Sequence, residues 1–304
     1  MKKEFYSNGK LLITAEYVVL DGAQALALPT KFGQNLIVNN TETKTIQWTS
    51  YDDDGSIWFN DTLTFESIVN NSHNNGNKTV KDTLTEILHH AYLLNPEFID
   101  NSQGFQISTH LTFPKFWGLG TSSTLINNIA QWLNIDAYNL LQKSFGGSGY
   151  DIACAQKNVP ILYQILDGKP DIKKIDFKPQ FFNNIFFVYL NKKQNSKSAI
   201  ASYKENHHNI SETIEKINAI SNTILKTTNF DEFSLAVQNH EIAMSAILKI
   251  QPIKDLLFND FNGSIKSLGA WGGDFVMAVS KENPINYFKS KGFETVISYE
   301  EMIL

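Results

Sequence analysis

Apolar and polar positions follow two periods along the first half of the chain. Alternation over residues 105–109 predicts a strand, and short apolar runs at 11–13, 17–20 and 161–166 predict three more. A period near 3.6 residues predicts one helix over residues 80–91 and another that follows Pro114 and ends near 133. Thr79 and Asp82 resemble a capping box at the start of the first helix.

The second half shows a different order of elements. An apolar run at 185–190 predicts a buried strand, and helices follow near 210–224 and 231–249. A strand at 274–279, a helix from Pro284 and a strand at 293–298 complete it. Residues 167–180 carry glycine and prolines among lysines and aspartates, so we place a domain boundary there. We therefore predict an α+β protein with two domains, residues 1–180 and 181–304.

Composition limits the function classes. The 304 residues suit about two domains, and a 42% hydrophobic content suits packed cores. A formal net charge of -5 argues against nucleic acid as a partner, and the apolar stretches are too short to span a membrane. The single cysteine, Cys154, excludes an intramolecular disulfide, and we expect it to be buried and inert. We expect a cytoplasmic monomer or homodimer that binds a small molecule.

All 26 basic residues are lysines, and the chain has no arginine. A bidentate guanidinium contact to phosphate is therefore impossible in this protein. Any phosphate group must be held by lysines, backbone N–H groups, hydroxyls or a metal ion.

Four glycine-rich segments carry the candidate chemistry. They are Gly9-Lys10 with Glu16-Tyr17 and Gly22-Ala23, then Pro114 to Ser123, then Gly146-Gly147-Ser148-Gly149-Tyr150-Asp151, and Gly269-Ala270-Trp271-Gly272-Gly273-Asp274. In the second, glycines precede Thr121, Ser122 and Ser123 at a helix start, which suits either an anion site or an ordinary helix cap. In the third, Asp151 is either a general base or the cap of the next helix.

Together, in this order and spacing, the four segments resemble the GHMP kinase superfamily. The second resembles its Gly-Leu-Gly-Ser-Ser phosphate loop and the third its Gly-Ser-Gly-x-Asp motif. Gly147-Ser148-Gly149-Tyr150-Asp151 and the ending Gly272-Gly273-Asp274 favour the phosphomevalonate kinase branch over mevalonate kinase.

The resemblance implies a fold and a set of roles. The N-terminal domain would be like ribosomal protein S5 domain 2 and the C-terminal domain ferredoxin-like, with ATP and Mg²⁺ as cofactors. Asp151 and Lys10 would be catalytic, and Thr121 or Ser122 would bind the metal. The implied ATP-binding residues are Gly118, Leu119, Gly120, Thr121, Ser122 and Ser123. The implied substrate-binding residues are Glu16, Tyr17, Ser148, Gly149, Gly272 and Gly273, to which we add Lys197 as the cation for a phosphorylated substrate.

Two departures from the family pattern matter. Leu140 stands where several members carry a metal-binding Glu, about eleven residues before the catalytic Asp. Trp117 and Trp271 stand where small residues are usual, so each either narrows the cleft or packs. Outside the family motifs, His240-Glu241 lacks a second histidine at metalloprotease spacing, so a zinc site is unsupported and we expect the pair on a helix surface or cleft wall.

The resemblance predicts an ATP-dependent kinase of the mevalonate pathway that transfers the γ-phosphate to a substrate oxygen. Mevalonate kinase is the nearest alternative. Diphosphomevalonate decarboxylase and a family member that binds ligand without catalysis are the other two.

Overall fold

The structure, a computed structural model, describes residues 2–72, 78–192, 203–204, 210–269, 271 and 273–304. Contacts divide the chain into two units whose segments alternate in sequence. The first unit comprises Met1–Gly9, Phe32–Lys115 and Gly120–Gln156. The second unit comprises Lys10–Lys31, Phe116–Leu119 and Lys157–Leu304. The domain boundary near residue 180 stays a prediction.

The first unit contains a mixed sheet with helices. Strands β1 and β2 run through both units, while β3 to β5 belong to the first alone. The strand bounds are β1 Lys2–Leu12, β2 Ala25–Asn40, β3 Thr45–Tyr51, β4 Ile57–Thr64 and β5 Phe105–Leu111. Within this unit the strand order is β4-β3-β5-β2, and β3 pairs with β5 in parallel while the other pairs are antiparallel.

The described residues of the first unit also form six helices. They are α1 Phe65–Val69, α2 Val80–Leu94, α3 Glu97–Asp100, α4 Thr121–Leu133, α5 Ala137–Ser144 and α6 Tyr150–Ala155. The capping box of Thr79 and Asp82 on α2 is confirmed. The apolar face of α2 packs into one core with the strands and with α4 and α5, which buries Leu84, Ile87, Leu88 and Ala91, while Val80 in the first turn is exposed.

The second unit contains a four-stranded antiparallel sheet. Its strands are β8 Ile185–Tyr189, β9 Ser264–Ser267, β10 Phe275–Val279 and β11 Val296–Ser298, in the order β11-β8-β10-β9. Its helices are α7 Ile210–Lys226, α8 Phe230–Leu248, α9 Ile253–Leu257, α10 Ile285–Ser290 and α11 Tyr299–Met302. If these strands are numbered in chain order with β8 as the first, they lie side by side in the order fourth, first, third, second. This is the expected ferredoxin-like arrangement, and the predicted α+β class is confirmed.

Three of the differences between the structure and the sequence prediction concern strands. Residues 17–20, predicted as a strand, lie in a turn and the 3₁₀ helix Val18–Asp21. Strand β7, Lys169–Lys174, which pairs with β6, Ile161–Leu166, was not predicted. Strand β9 was not predicted, because a four-residue strand shows too little alternation to stand out. Among the described residues, no helix is long and apolar enough to cross a membrane.

Candidate active site

Lys10 lies beside the glycine loop of the second segment. It occupies the inner end of β1, where its backbone N–H donates to the Leu119 carbonyl oxygen at 3.0 Å. Its Nζ donates to the Gly118 carbonyl oxygen at 3.3 Å, and the residue is only 9% exposed. A nearly buried ammonium is therefore held against residues that the family resemblance predicts to bind phosphate.

Gly118 cannot carry a side chain in this position. Its φ is 70°, and an added Cβ would lie 2.5 Å from the Asp274 Cγ. Asp274 is itself almost buried, and its backbone N–H donates to the Lys192 carbonyl oxygen at 2.6 Å. The close approach between loop backbone and carboxylate thus requires glycine at 118.

A small cavity opens at this contact. Its lining residues are Lys10, Leu11, Leu12, Trp117, Gly118, Leu268, Gly269, Asp274 and Phe275. Trp117 packs edge-on against Phe275, with ring centroids 5.4 Å apart, and also lies 6.3 Å from the Tyr189 ring. Trp117 therefore packs against two aromatic rings and forms one wall of this cavity.

In the first unit, α4 starts where the glycine loop ends. Gly120 is its N-cap, in the left-handed conformation with φ 99°. The Ser123 hydroxyl donates to the Gly120 carbonyl oxygen at 2.9 Å, while Thr121 is half-buried and Ser122 is exposed. The hydroxyls therefore do not occupy the cap position, and the ordinary capping interpretation of this segment is wrong.

Asp151 lies in the first turn of α6 in the same unit. Gly149 is the N-cap there, with φ 89°, and the Ala153 N–H donates to the Gly149 carbonyl oxygen at 3.1 Å. The capping interpretation of Asp151 is thus also wrong, since Gly149 holds that position. Asp151 and Ser148 are both half-buried. A carboxylate in a first turn is favoured by the helix dipole, and Asp151 remains available for another role.

A buried cluster of charged residues lies in the second unit, and the sequence analysis missed it. Lys266, which is fully buried on β9, donates to Glu16 Oε1 and to its neighbour's carbonyl oxygen. Glu241 accepts from the Ser267 N–H at 2.9 Å and from its hydroxyl at 2.8 Å. His240 Nε2 accepts from the Ala15 N–H at 2.9 Å, so the expectation of a helix surface at 240–241 is wrong.

Burial sets the charges of this cluster. Loss of hydration raises the pKa of Glu16 to about 7, although Lys266 opposes the shift, and also raises the pKa of Glu241. Burial, with Lys266 nearby, lowers the pKa of His240 well below its ordinary value, so its imidazole is neutral. One ammonium thus faces two carboxyl groups. A single proton on that pair would leave the cluster neutral, which is the least costly state for buried groups.

Tyr17 connects this cluster to the fourth glycine-rich segment. Its backbone is strained, with φ 63° and ψ -48°. Its hydroxyl oxygen accepts a hydrogen bond from the backbone N–H of Trp271 at 3.2 Å. Desolvation raises the pKa of Tyr17 to about 12, so the phenol stays protonated. Trp271 is 4% exposed, and its bulk is packed inside the second unit.

The structure does not describe every predicted site residue. Lys197 and Gly272 lie outside the described residues. Gly273 is buried immediately before Asp274.

Only part of the donor set for a magnesium ion follows the family pattern. Leu140 is fully buried in the apolar core of the first unit, and its hydrocarbon side chain cannot bind a metal at the position where several family members have a Glu. The described residues contain no group of three or more His, Cys, Asp or Glu side chains placed to hold a metal. The oxygen donors that the resemblance implies are the Thr121 and Ser122 hydroxyls in the first unit, which are hard ligands of the kind that Mg²⁺ accepts.

Comparison with known proteins supports the fold. No family model matches the chain, and no curated protein matches its sequence. Among solved structures, Methanococcus jannaschii mevalonate kinase aligns with a TM-score of 0.70 at 18% identity, covering 97% of this chain and 96% of that one. Streptococcus pneumoniae phosphomevalonate kinase, in complex with phosphomevalonate and AMPPNP, gives 0.71 at 16% identity, covering 97% and 99%.

A third neighbour has a different substrate. Lactococcus lactis galactokinase, complexed with galactose, aligns with a TM-score of 0.67 at 12% identity, covering 95% of this chain and 88% of that one. The chain therefore has the fold of the GHMP kinases, as the sequence motifs predicted. Because neighbours with different substrates match about equally well, the fold does not choose the substrate.

Proposed function

We propose that this protein is an ATP-dependent kinase of small molecules and that its acceptor is phosphomevalonate. The observation that supports the proposal most is the contact of Lys10 Nζ with the Gly118 carbonyl oxygen. A nearly buried cation next to a loop that requires glycine suits a polyphosphate, because backbone N–H groups can then approach its oxygens. The match of residues 147–151 and 272–274 to the phosphomevalonate kinase pattern supports the choice of acceptor.

The proposed reaction is an in-line transfer. An acceptor oxygen attacks the γ-phosphorus of ATP, the bond from that phosphorus to the β,γ-bridging oxygen breaks, and ADP leaves. Lys10 and the backbone N–H groups of residues 118–123 offset the charge that develops on the phosphate oxygens. Mg²⁺, which Thr121 or Ser122 would hold, supplies further charge neutralisation when bound.

The part played by Asp151 depends on the acceptor. A hydroxyl acceptor must lose its proton, and Asp151 would take it as general base. A phosphate monoester loses its second proton with a pKa near 6, so its oxygen is already ionised at neutral pH. With phosphomevalonate, Asp151 would therefore not remove a proton. It would instead orient the acceptor and the cations that bind the acceptor's phosphate.

On the substrate side, we assign Tyr17, Ser148, Gly149 and Gly273 to the acceptor, as the resemblance implies. Glu16 is 2% exposed and bound to Lys266, so its contribution would be to hold Tyr17 in place. Lys197 and Gly272 complete the assignment, and Lys197→Ala tests the first of them.

A panel of acceptors tests the proposal and separates its alternatives. ADP release is measured with mevalonate, phosphomevalonate, diphosphomevalonate, homoserine and galactose. Preference for phosphomevalonate supports the proposal, and preference for mevalonate replaces it with mevalonate kinase. Carbon dioxide release from diphosphomevalonate would instead indicate the decarboxylase.

A non-catalytic role is tested by tryptophan fluorescence. Trp117 lines the cavity next to Lys10, so nucleotide binding should change its emission. The Trp117→Phe variant shows how much of the signal this residue carries. Binding of ATP without turnover of any acceptor would indicate a protein that only binds its ligand.

A further inference from the structure

A network of buried amides and hydroxyls crosses the interior of the first unit. Asn127 and Asn128, neighbours on α4, are 1% and 0% exposed, and both bind Ser7 on β1. The Ser7 hydroxyl donates to Asn128 Oδ1 at 2.7 Å, and its oxygen accepts from Asn127 Nδ2 at 2.8 Å. Polar groups inside a protein rigidify their surroundings when each has a partner, and these three do.

One end of this network reaches the start of α4. Asn128 Nδ2 donates to the Gln34 carbonyl oxygen at 2.9 Å, and Gln34 Oε1 accepts from the Thr124 hydroxyl at 2.8 Å. The Thr124 hydroxyl oxygen also lies 3.1 Å from the carbonyl oxygen of Gly120, the N-cap of α4. Residues 124, 127 and 128 share one helical face, so the network runs along α4 from the end of the glycine loop.

The other end of the network reaches the helix that carries Asp151. Gln156, the C-cap of α6, donates from Nε2 to Asn127 Oδ1 at 3.0 Å. Gln156 is exposed, whereas its acceptor is buried. A directional bond therefore joins α6 to α4, in addition to the apolar packing between them.

Helix α6 depends on such support, because it is short and glycines precede it. It has six residues, and isolated helices shorter than about 12–15 residues are marginal in water. Gly147 and Gly149 have positive φ, and the N-cap makes no side-chain hydrogen bond. Gln142 on α5 donates to the Gly147 carbonyl oxygen at 2.9 Å and holds the turn before the helix. Gln156 holds the opposite end.

Resting on the proposed function, we propose that Gln156 is a positioning residue for Asp151 and that Asn127 is its buried anchor. Apolar packing is not directional, whereas a hydrogen bond fixes both distance and angle. The bond between the two amides therefore sets the register of α6 against α4. It holds the Asp151 carboxylate in one place relative to residues 120–123, all within the first unit.

The first test is the kinetics of Gln156→Met, which keeps the length of the side chain and removes its N–H donor. The kcat with the preferred acceptor should fall roughly 10–100-fold, because a misplacement of about 1 Å can cost that much. The KM for ATP should not change, since the bonds of Asn127 and Thr124 along α4 remain. Gln106→Met, the same substitution at an exposed position on β5, should change neither constant.

A double-mutant cycle with Asp151→Asn separates positioning from a general effect on structure. If Gln156 acts through the Asp151 carboxylate, Gln156→Met should reduce kcat much less in the Asp151→Asn background than in the wild type. Losses of kcat that multiply would mean that Gln156 acts elsewhere, and they would overturn the proposal. A large fall in the melting temperature of Gln156→Met would make Gln156 a structural residue and would also overturn it.

Hydrogen exchange tests the same bond without any activity. In the ligand-free protein, the backbone amides of residues 150–156 should exchange faster in Gln156→Met than in the wild type or in Gln106→Met, because α6 opens more often. Unchanged exchange, or an unchanged kcat, overturns the proposal. If the wild type turns over no acceptor of the panel, the proposed function fails and the positioning role fails with it. The exchange result then still shows whether Gln156 holds α6.

Discussion

Lys266 and Glu16 form an ion pair in the interior of the second unit, although 250 residues separate them in sequence. Both are buried, and Glu241 and His240 lie in the same cluster. Glu16 precedes the strained Tyr17, and Lys266 precedes the fourth glycine-rich segment. The pair therefore joins two of the four segments that define the family resemblance.

Removal of Lys266 should destabilise the fold strongly. Lys266→Met leaves two buried carboxyl groups without their cation, and breaking a buried pair in this way typically costs about 3–5 kcal/mol. Urea unfolding measures the change. Lys281→Met is the matched control, because Lys281 pairs with Asp231 on the surface and such pairs contribute about 0–1 kcal/mol. Similar small losses in both variants would contradict the buried-pair account.

The pH dependence of stability should change in Glu16→Gln. The pKa of Glu16 is raised from 4.5 to about 7, so the folded protein holds this proton more tightly than the unfolded chain. The stabilisation of the folded state that results from this raised pKa is fully present below about pH 4.5. It is lost as pH rises through 7, and the change in unfolding free energy is on the order of 3 kcal/mol. The difference in unfolding free energy, wild type minus Glu16→Gln, should therefore fall with rising pH.

The titration of His240 changes stability with pH in the opposite direction. For this reason the experiment compares the unfolding free energies of wild type and Glu16→Gln and does not use the wild type alone. The pKa of His240 is lowered in the folded state, so its contribution is present above its ordinary value near 6.5 and is lost as pH falls. Because His240 is present in both proteins, its effect largely cancels. A difference that rises with pH, or does not change, would contradict the raised pKa of Glu16.

Gly118→Ala should impair nucleotide binding as well as stability. The methyl group would lie 2.5 Å from the Asp274 Cγ, and the residue would also carry the cost of a positive φ. Gly168→Ala is the control, since its φ is 73° and nothing lies within 4 Å of the added Cβ. It should show only the backbone cost, about 1–2 kcal/mol.

The double variant Gly118→Ala/Asp274→Gly tests the cause. It removes the carboxylate that the methyl group would meet, so it should be more stable than an additive combination of the two single changes. Additive losses would mean that the two residues do not interact.

Local periodicity predicted much of the fold, and pairing between distant segments produced most of the errors. The helices α2, α7 and α8 follow from their apolar spacing. Residues 17–20 form a buried turn, so all four of them are apolar. A continuous apolar run has no polar positions from which a strand could be distinguished from a 3₁₀ helix. Strand β7 is a charged partner of β6, and charged strands lack the apolar signal.

The candidate site shows the same limit. Motif spacing led to Lys10, Gly118 and Asp151, but it could not show that Lys266 and Asp274 have partners far away in sequence. The sequence does contain one signal for this cluster, because Lys266 follows the apolar Ile265 in a short segment that leads into Gly269.

Asp151→Asn tests the assigned base. With a hydroxyl acceptor, kcat should fall roughly 10²–10⁴-fold, the usual worth of general acid–base catalysis, while ATP binding and thermal stability are retained. Asp100→Asn removes the same charge from an exposed position and should leave kcat unchanged. Unchanged turnover in Asp151→Asn with every acceptor would remove Asp151 from the mechanism.

Lys197→Ala tests the predicted cation for a phosphorylated acceptor. The KM for phosphomevalonate should rise much more than the KM for ATP, because a lysine contacts phosphate as a point charge. Lys192→Ala, at an exposed position in the same segment, serves as control. Wild-type values for both constants in Lys197→Ala would show that this lysine does not contact the substrate.

The most direct test of the account follows the phosphoryl group itself by ³¹P NMR. The protein is incubated with ATP, Mg²⁺ and phosphomevalonate, and resonances of nucleotide and product are recorded over time. The account predicts a new diphosphate ester that accumulates in step with ADP and depends on Lys10 and Asp151. Release of inorganic phosphate in place of the ester, or no consumption of ATP with any acceptor of the panel, would contradict it.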